Sequence, residues 1–191
     1  LSFLEKNLLY TVDVFLKIDA GYHRTGIDVK NFNFIQKLLF QIQQAKNLNF
    51  AGFLAHSGHS YKAQNEEEIN KIHVESQDAL TKLRKHFISD YPQLIISVGD
   101  TPTCSIAKDF SFADEIRPGN FVFYDVMQYL IGSCRLSDIS VAIACPVVAL
   151  HPERNEIILY GGGVHLSKDQ AILPTTNQPF YGFLAILNKQ S

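Results

Sequence analysis

Short runs of β-forming apolar residues alternate with helical patterns along the first two-thirds of the chain, and this alternation constrains the fold more than any other feature. Residues 14–18 (Val-Phe-Leu-Lys-Ile), 50–56 (Phe-Ala-Gly-Phe-Leu-Ala-His) and 94–98 (Leu-Ile-Ile-Ser-Val) are each followed by a polar loop containing glycine. Runs this short, bounded by turn residues, are buried strands rather than helices. Between residues 31 and 47, Phe32, Ile35, Leu38, Leu39 and Ile42 recur at spacings of three and four, which predicts an amphipathic helix. A long helix is expected over 64–89, with Glu66, Glu67 and Glu68 near its N-terminus, where the helix dipole favours acidic side chains. A short helix is expected around 104–109, a loop and strand within 115–124, and the tail of a helix over 1–9. Buried strands alternating with helices imply a parallel sheet of the α/β class.

The rhythm changes near Gln128. Residues 139–150 and 156–160 are β-rich and separated by His151-Pro-Glu-Arg-Asn155, which predicts a hairpin in a second, antiparallel module. Gly161-Gly-Gly163 allows a sharp departure, and a last short strand is expected over 183–187. The expected division is residues 1–130 and 131–191. Four strand–helix units cannot close a (β/α)8 barrel, which takes eight and about 250 residues. The residues alone therefore leave two architectures, a small open α/β sheet or one half of a barrel.

Composition narrows the function classes. The formal charge of −2 on 191 residues, with no basic cluster or interleaved aromatic platform, points to neither a nucleic-acid nor a membrane partner. Cys104, Cys134 and Cys145 are widely spaced, as expected of free thiols in a reducing, cytoplasmic compartment. The apolar run 139–150 is too short to span a bilayer. No secretory leader is expected at 1–10, although the chain starts without methionine and reads as a fragment.

The chemistry-bearing residues gather at the ends of the expected strands. After the first strand, Gly21 and Gly26 bracket Tyr22, His23, Arg24 and Thr25, and a strand delivering Arg24 into a loop before a helix is how α/β folds place ligand-binding groups. An ordinary surface salt bridge is the bland reading of Arg24. After the second strand comes His56-Ser-Gly-His59. Two histidines are a weak metal signal, because zinc wants three or four ligands, and a single histidine facing a ligand suits the position better. After the third, Gly99-Asp-Thr-Pro-Thr103 offers backbone amides and two hydroxyls to a phosphate, with Asp100 repelling it unless its side chain turns away. Gly119-Asn120, after Arg117-Pro118, can bring further amides to the same anion, since barrels often build one phosphate site from two adjacent loops.

Taken together, five segments resemble the alanine-racemase-like barrel of fold-type III pyridoxal-phosphate enzymes, and most of all its D-threonine aldolase / D-serine dehydratase branch. They are Lys17-Ile-Asp-Ala-Gly-Tyr-His-Arg-Thr-Gly26, Gly52-Phe-Leu-Ala-His-Ser-Gly-His-Ser-Tyr61, Ser97-Val-Gly-Asp-Thr-Pro-Thr103, Glu115-Ile-Arg-Pro-Gly-Asn-Phe-Val-Phe-Tyr-Asp125 and Gly161-Gly-Gly-Val-His-Leu-Ser-Lys-Asp169. Their order and spacing carry the resemblance, since each alone is common. It decides for the second half of a pyridoxal-phosphate-binding (β/α)8 barrel followed by part of an antiparallel β-rich C-terminal domain.

The resemblance implies roles. Arg24 would bind the cofactor's phenolic oxygen or the substrate carboxylate, and His56 would pack on one face of the pyridine ring. Gly99, Thr101 and Thr103, with Gly119 and Asn120, would hold the phosphate. Arg117 would face the ring nitrogen and leave it unprotonated, hence a weaker electron sink, and Tyr124 would complete the cofactor-binding set. The implied protein acts on a small amino acid of D configuration, as a homodimer. None of Lys17, Lys30, Lys62, Lys108 or Lys168 matches the family's Schiff-base lysine, which is expected outside this chain. The chain also lacks a His-x-Cys metal pair near its C-terminus, so any divalent metal would bind outside this segment. The fragment alone is expected to be inactive. The alternatives are an amino-acid racemase, a non-catalytic pyridoxal-phosphate-binding protein, and a metal-dependent hydrolase using His56 and His59.

Overall fold

The computed structural model describes residues 3, 7–163, 165, 167, 170–173 and 178–184. Its centre is a five-stranded parallel sheet of β1 (Val12–Asp19), β2 (Ile27–Asp28), β3 (Leu48–Ala55), β4 (Ile95–Val98) and β5 (Glu115–Ile116), in the order β2-β1-β3-β4-β5. Apart from the two-residue β2 at the edge, spatial order follows chain order. Parallel crossovers are right-handed, so strands added always on the same side place every connecting helix on one face. That is the arrangement of a barrel arc, whereas a doubly wound sheet reverses direction midway.

The two long helices, α1 (Phe32–Gln44) and α2 (Glu66–Phe87), cover that face. Ile35 and Leu39 of α1 and Leu80, Leu83 and Phe87 of α2 pack with Ile18, Phe53, Ala55, Ile96 and Val98 in one buried cluster. Alternation sends the intervening residues to the other face, where Lys17, Leu54, Ser97 and Glu115 stand in one row across four strands.

The expected helices form with their starts set by local capping. Asn31, Asn65, Asp100 and Asp125 each accept a hydrogen bond from the backbone N–H three residues on, opening α1, α2, α3 (Thr101–Ile106) and α4 (Val126–Leu130). Such a cap contributes about 1 kcal/mol. The short helix expected around 104–109 therefore begins at Thr101, because Asp100 caps it and Pro102 fits its first turn.

Four expectations are corrected. The strand within 115–124 pairs only at Glu115–Ile116, because Pro118 has no N–H for a ladder; Asn120–Val122 is a 3-10 turn with Phe121, Val122 and Phe123 exposed. The loop over 57–61 is a 3-10 turn, Gly58–Lys62. The hairpin exists, but β6 (Val147–His151) begins after Pro146; it pairs antiparallel with β7 (Glu156–Leu159) through a turn in which Asn155 adopts φ 53°. A small antiparallel bridge, β8 (Ala171–Ile172) with β9 (Pro179–Phe180), follows. Phe183 and Leu184 form no strand, and 185–187 lie outside the described residues. Of the helical tail expected over 1–9, Phe3 and Asn7 are described and helical, and Asn7 Nδ2 donates to the Phe3 carbonyl at 2.7 Å. The remainder, apart from Leu8 and Leu9, lies outside the described residues.

Candidate active site

Parallel strands point their C-terminal ends the same way, so the loops after β1, β3, β4 and β5 open on one side of the sheet. A continuous set of contacts joins them. In the first loop, Asp19 Oδ1 accepts from the N–H groups of Gly21 and His23 at 3.0 Å each, bending the chain tightly enough for His23 to take φ 56°. Burial pushes the Asp19 carboxyl up, but the amides of His23 and Gly21 outweigh it and hold the group below its ordinary range.

That turn projects Tyr22 against the second loop. Its ring meets His56 edge-on at 5.8 Å between centroids and stacks on His59 at 6.1 Å. The Arg24 guanidinium lies over the Tyr22 ring at 4.7 Å and donates to its hydroxyl at 3.5 Å. His56 in turn donates from Nδ1 to the Gly99 carbonyl, which fixes the orientation of the ring. Burial lowers the basicity of His59 below the usual value, against the opposing pull of Asp100, Glu75 and Asp19.

The loop after β4 is held from both sides. Asp100, 4% exposed, accepts from Ser60 Oγ at 2.7 Å, from the Thr103 N–H at 2.9 Å and from the Thr103 hydroxyl at 2.7 Å. Its carboxylate is thus folded away inside the loop. Tyr61 Oη accepts from the Thr101 N–H at 3.1 Å, and Thr101 Oγ1 accepts from the Asn120 N–H at 2.9 Å. The last contact brings in the loop after β5, whose Tyr124 hydroxyl lies 3.0 Å from Ser105 Oγ. Gly99 permits this closeness, since a Cβ there would lie 2.6 Å from the Arg117 carbonyl oxygen. Arg117 lies across the strand ends: Nε donates to Ser97 Oγ at 2.6 Å and Nη2 to the Ala55 carbonyl at 3.0 Å. It also lines, with Ser105, Ile116, Phe121 and Tyr124, a cleft of 430 Å³.

Arg24, His56, Gly99, Thr101, Arg117, Gly119, Asn120 and Tyr124 therefore occupy four neighbouring loops at one end of the sheet. Both threonines are buried and engaged: the Thr103 N–H and hydroxyl serve Asp100, while the Thr101 N–H donates to Tyr61 and its Oγ1 accepts from Asn120. Sequence reasoning missed Tyr22, Ser60 and Tyr61, which bind the loops to one another. An aromatic residue between Gly21 and His23 was a signal for the first, whereas Ser60 and Tyr61 had none. Among the described residues, no group of three or more His, Cys, Asp or Glu side chains could hold a metal ion, and Lys168 lies outside the described residues.

Comparison with known proteins decides the family. Residues 2–126 match the family described as alanine racemase, N-terminal domain. The chain belongs to the alanine racemase N-terminal domain family. Within that family, it is 38% identical over 164 residues to a D-serine dehydratase of Dictyostelium discoideum, covering 82% of this chain and 41% of the relative. The D-threo-3-hydroxyaspartate dehydratase from Delftia sp. HT23 superposes with a TM-score of 0.80 at 22% identity, over 88% of this chain and 44% of that one. An alanine racemase-like protein from Idiomarina loihiensis superposes with a TM-score of 0.75 at 28% identity, over the same shares. This alanine racemase N-terminal domain chain spans about two-fifths of the length of the curated relatives it matches.

Proposed function

We propose that the protein carrying this chain is a pyridoxal-phosphate-dependent lyase of the D-serine dehydratase type, acting on a small D-amino acid. The observation that supports this reading is the joining of the four strand-end loops by side-chain and backbone hydrogen bonds, since these loops carry Arg24, His56, Arg117 and the two glycine-containing turns. The similarity to the Dictyostelium D-serine dehydratase supports the substrate class.

The residues fit the cofactor by their chemistry. The Asp100 carboxylate, which would repel a phosphate dianion, is engaged by Ser60 and Thr103 and turned inward. Gly119 has open space where a Cβ would stand, so its backbone can approach a bound group closely. Gly99, Gly119 and Asn120 would hold the phosphate, with Thr101, bonded to Tyr61 and Asn120, and Thr103, bonded to Asp100, acting behind them. When bound, pyridoxal phosphate supplies an electron-withdrawing ring that weakens the bonds to the amino acid's α-carbon.

This chain's own groups orient and hold charge. Arg24, permanently protonated and at the exposed rim, would bind a phenolic oxygen or the substrate carboxylate. His56, its Nδ1 proton held by the Gly99 carbonyl, would present a fixed ring face. Arg117 has neutral oxygens as its close partners and Glu115 only at 3.9 Å, and it would face the ring nitrogen of the bound cofactor. Tyr124 would wall the cleft. The lysine acting as base would lie outside residues 1–191, as would any divalent metal. We further propose residues 1–130 as a barrel part and 131–191 as a β-rich part, in a homodimer of cytoplasmic location.

Product analysis with the full-length protein tests the reading. D-Serine should give pyruvate and ammonia. Glycine and acetaldehyde from D-threonine would indicate an aldolase, L-alanine from D-alanine a racemase, and no turnover with tight cofactor binding a non-catalytic carrier. Borohydride reduction in the presence of pyridoxal phosphate, followed by peptide mapping, should label no lysine within residues 1–191. A specific label there would overturn the placement of the base.

A further inference from the structure

We infer that Tyr22 is a positioning residue that sets Arg24 and His56 at the mouth; this rests on the reading that those two residues hold the cofactor. Tyr22 touches both of them from within the glycine-bracketed loop that also carries Arg24. The Arg24 guanidinium sits over its ring at 4.7 Å and reaches its hydroxyl at 3.5 Å, while His56 meets the ring edge-on at 5.8 Å and His59 stacks on it at 6.1 Å. A cation over an aromatic face is attracted by the ring quadrupole, and ring pairs at these separations prefer edge-on or offset arrangements. One ring therefore fixes an otherwise exposed arginine and braces the imidazole edge-on.

The surrounding glycine shows how closely the ring is seated. A Cβ at Gly58 would lie 2.3 Å from Tyr22 Cε1 and 2.8 Å from His56 Nε2, so the loop after β3 leaves room for Tyr22 and nothing larger than hydrogen at that position. Arg24 has no carboxylate partner among the ion pairs of the described residues, which leaves Tyr22 as its anchor. The long side chain would otherwise sample many rotamers, and fixing it in advance removes that entropy cost from ligand binding.

The test uses the full-length protein stripped of cofactor and titrated with pyridoxal phosphate by absorbance, with thermal midpoints measured alongside. Tyr22→Phe keeps the ring and should bind within about twofold of wild type, while Tyr22→Leu should weaken binding by about tenfold at an unchanged midpoint. In an Arg24→Ala background, Tyr22→Leu should add no more than about threefold, because most of its effect passes through Arg24. If Tyr22→Leu does not fold, Tyr22→Met keeps more of the side chain's bulk without the aromatic face, and its loss should likewise shrink in the Arg24→Ala background. Wild-type affinity in Tyr22→Leu, an equal loss in both backgrounds, or Phe as damaging as Leu would overturn the inference while leaving the cofactor reading intact. A wild-type protein with no saturable binding would overturn both.

Discussion

The hydroxyl of Ser60 donates to Oδ1 of Asp100 across 2.7 Å, tying the turn after β3 to the cap of α3. Both residues are buried, Ser60 fully. Asp100 collects three hydrogen bonds there, so Asp100→Ala should cost about 2–4 kcal/mol, combining a lost cap with stranded buried donors. Ser60→Ala removes one of the three and should cost about 1–2 kcal/mol. Urea unfolding monitored by circular dichroism checks both, and the order of the two variants is the informative outcome.

Two glycines near the mouth should respond oppositely to the same substitution. Gly58→Ala drives a methyl group into Tyr22 and His56, and its unfolding midpoint should fall together with cofactor affinity. Gly119→Ala meets nothing within 4 Å and sits at a negative φ, so its folding stability should stay within about 0.5 kcal/mol of wild type.

His59 carries a pH prediction. Burial lowers its folded-state pKa below the usual 6.5, so below that value the unfolded chain binds more protons than the folded one. Its contribution to stability is fully present above pH 6.5 and is lost as the pH falls below it. Denaturation midpoints between pH 8 and pH 5 should therefore drop less steeply in His59→Gln than in wild type.

The helix-facing core has its own test. Phe53 is fully buried, with Phe50 and Phe87 ring centroids at 5.2 Å and 5.7 Å. Phe53→Ala should cost about 3–5 kcal/mol, measured as a shift of the urea midpoint at unchanged slope.

Strands and helices were legible where periodicity and burial agree. The apolar runs around Phe15, Phe53 and Ile96 pair in the parallel sheet, and the three- and four-residue spacing of Ile35, Leu39 and Ile42 forms the buried stripe of α1. The run from Phe121 to Phe123 misled because apolar content alone does not make a strand; Pro118 had already ended the ladder. Capping was only partly legible: Asp100 reads as a loop residue in the motif, and its donors, Ser60 and Thr103, include one from another segment.

By itself the sequence determined the α/β class, the succession of elements and the four strand-end loops that carry Arg24, His56, Thr101 and Asn120, because hydrophobic periodicity and glycine punctuation are local properties of the chain. Tertiary structure alone decided that Asp100 turns inward, that Thr103 serves it, and that Tyr22 stands between Arg24 and His56. The Thr103 and Arg24 contacts are local, but the meetings of Asp100 with Ser60, 40 residues away, and of Tyr22 with His56 are set by sheet order and register, which no local pattern encodes.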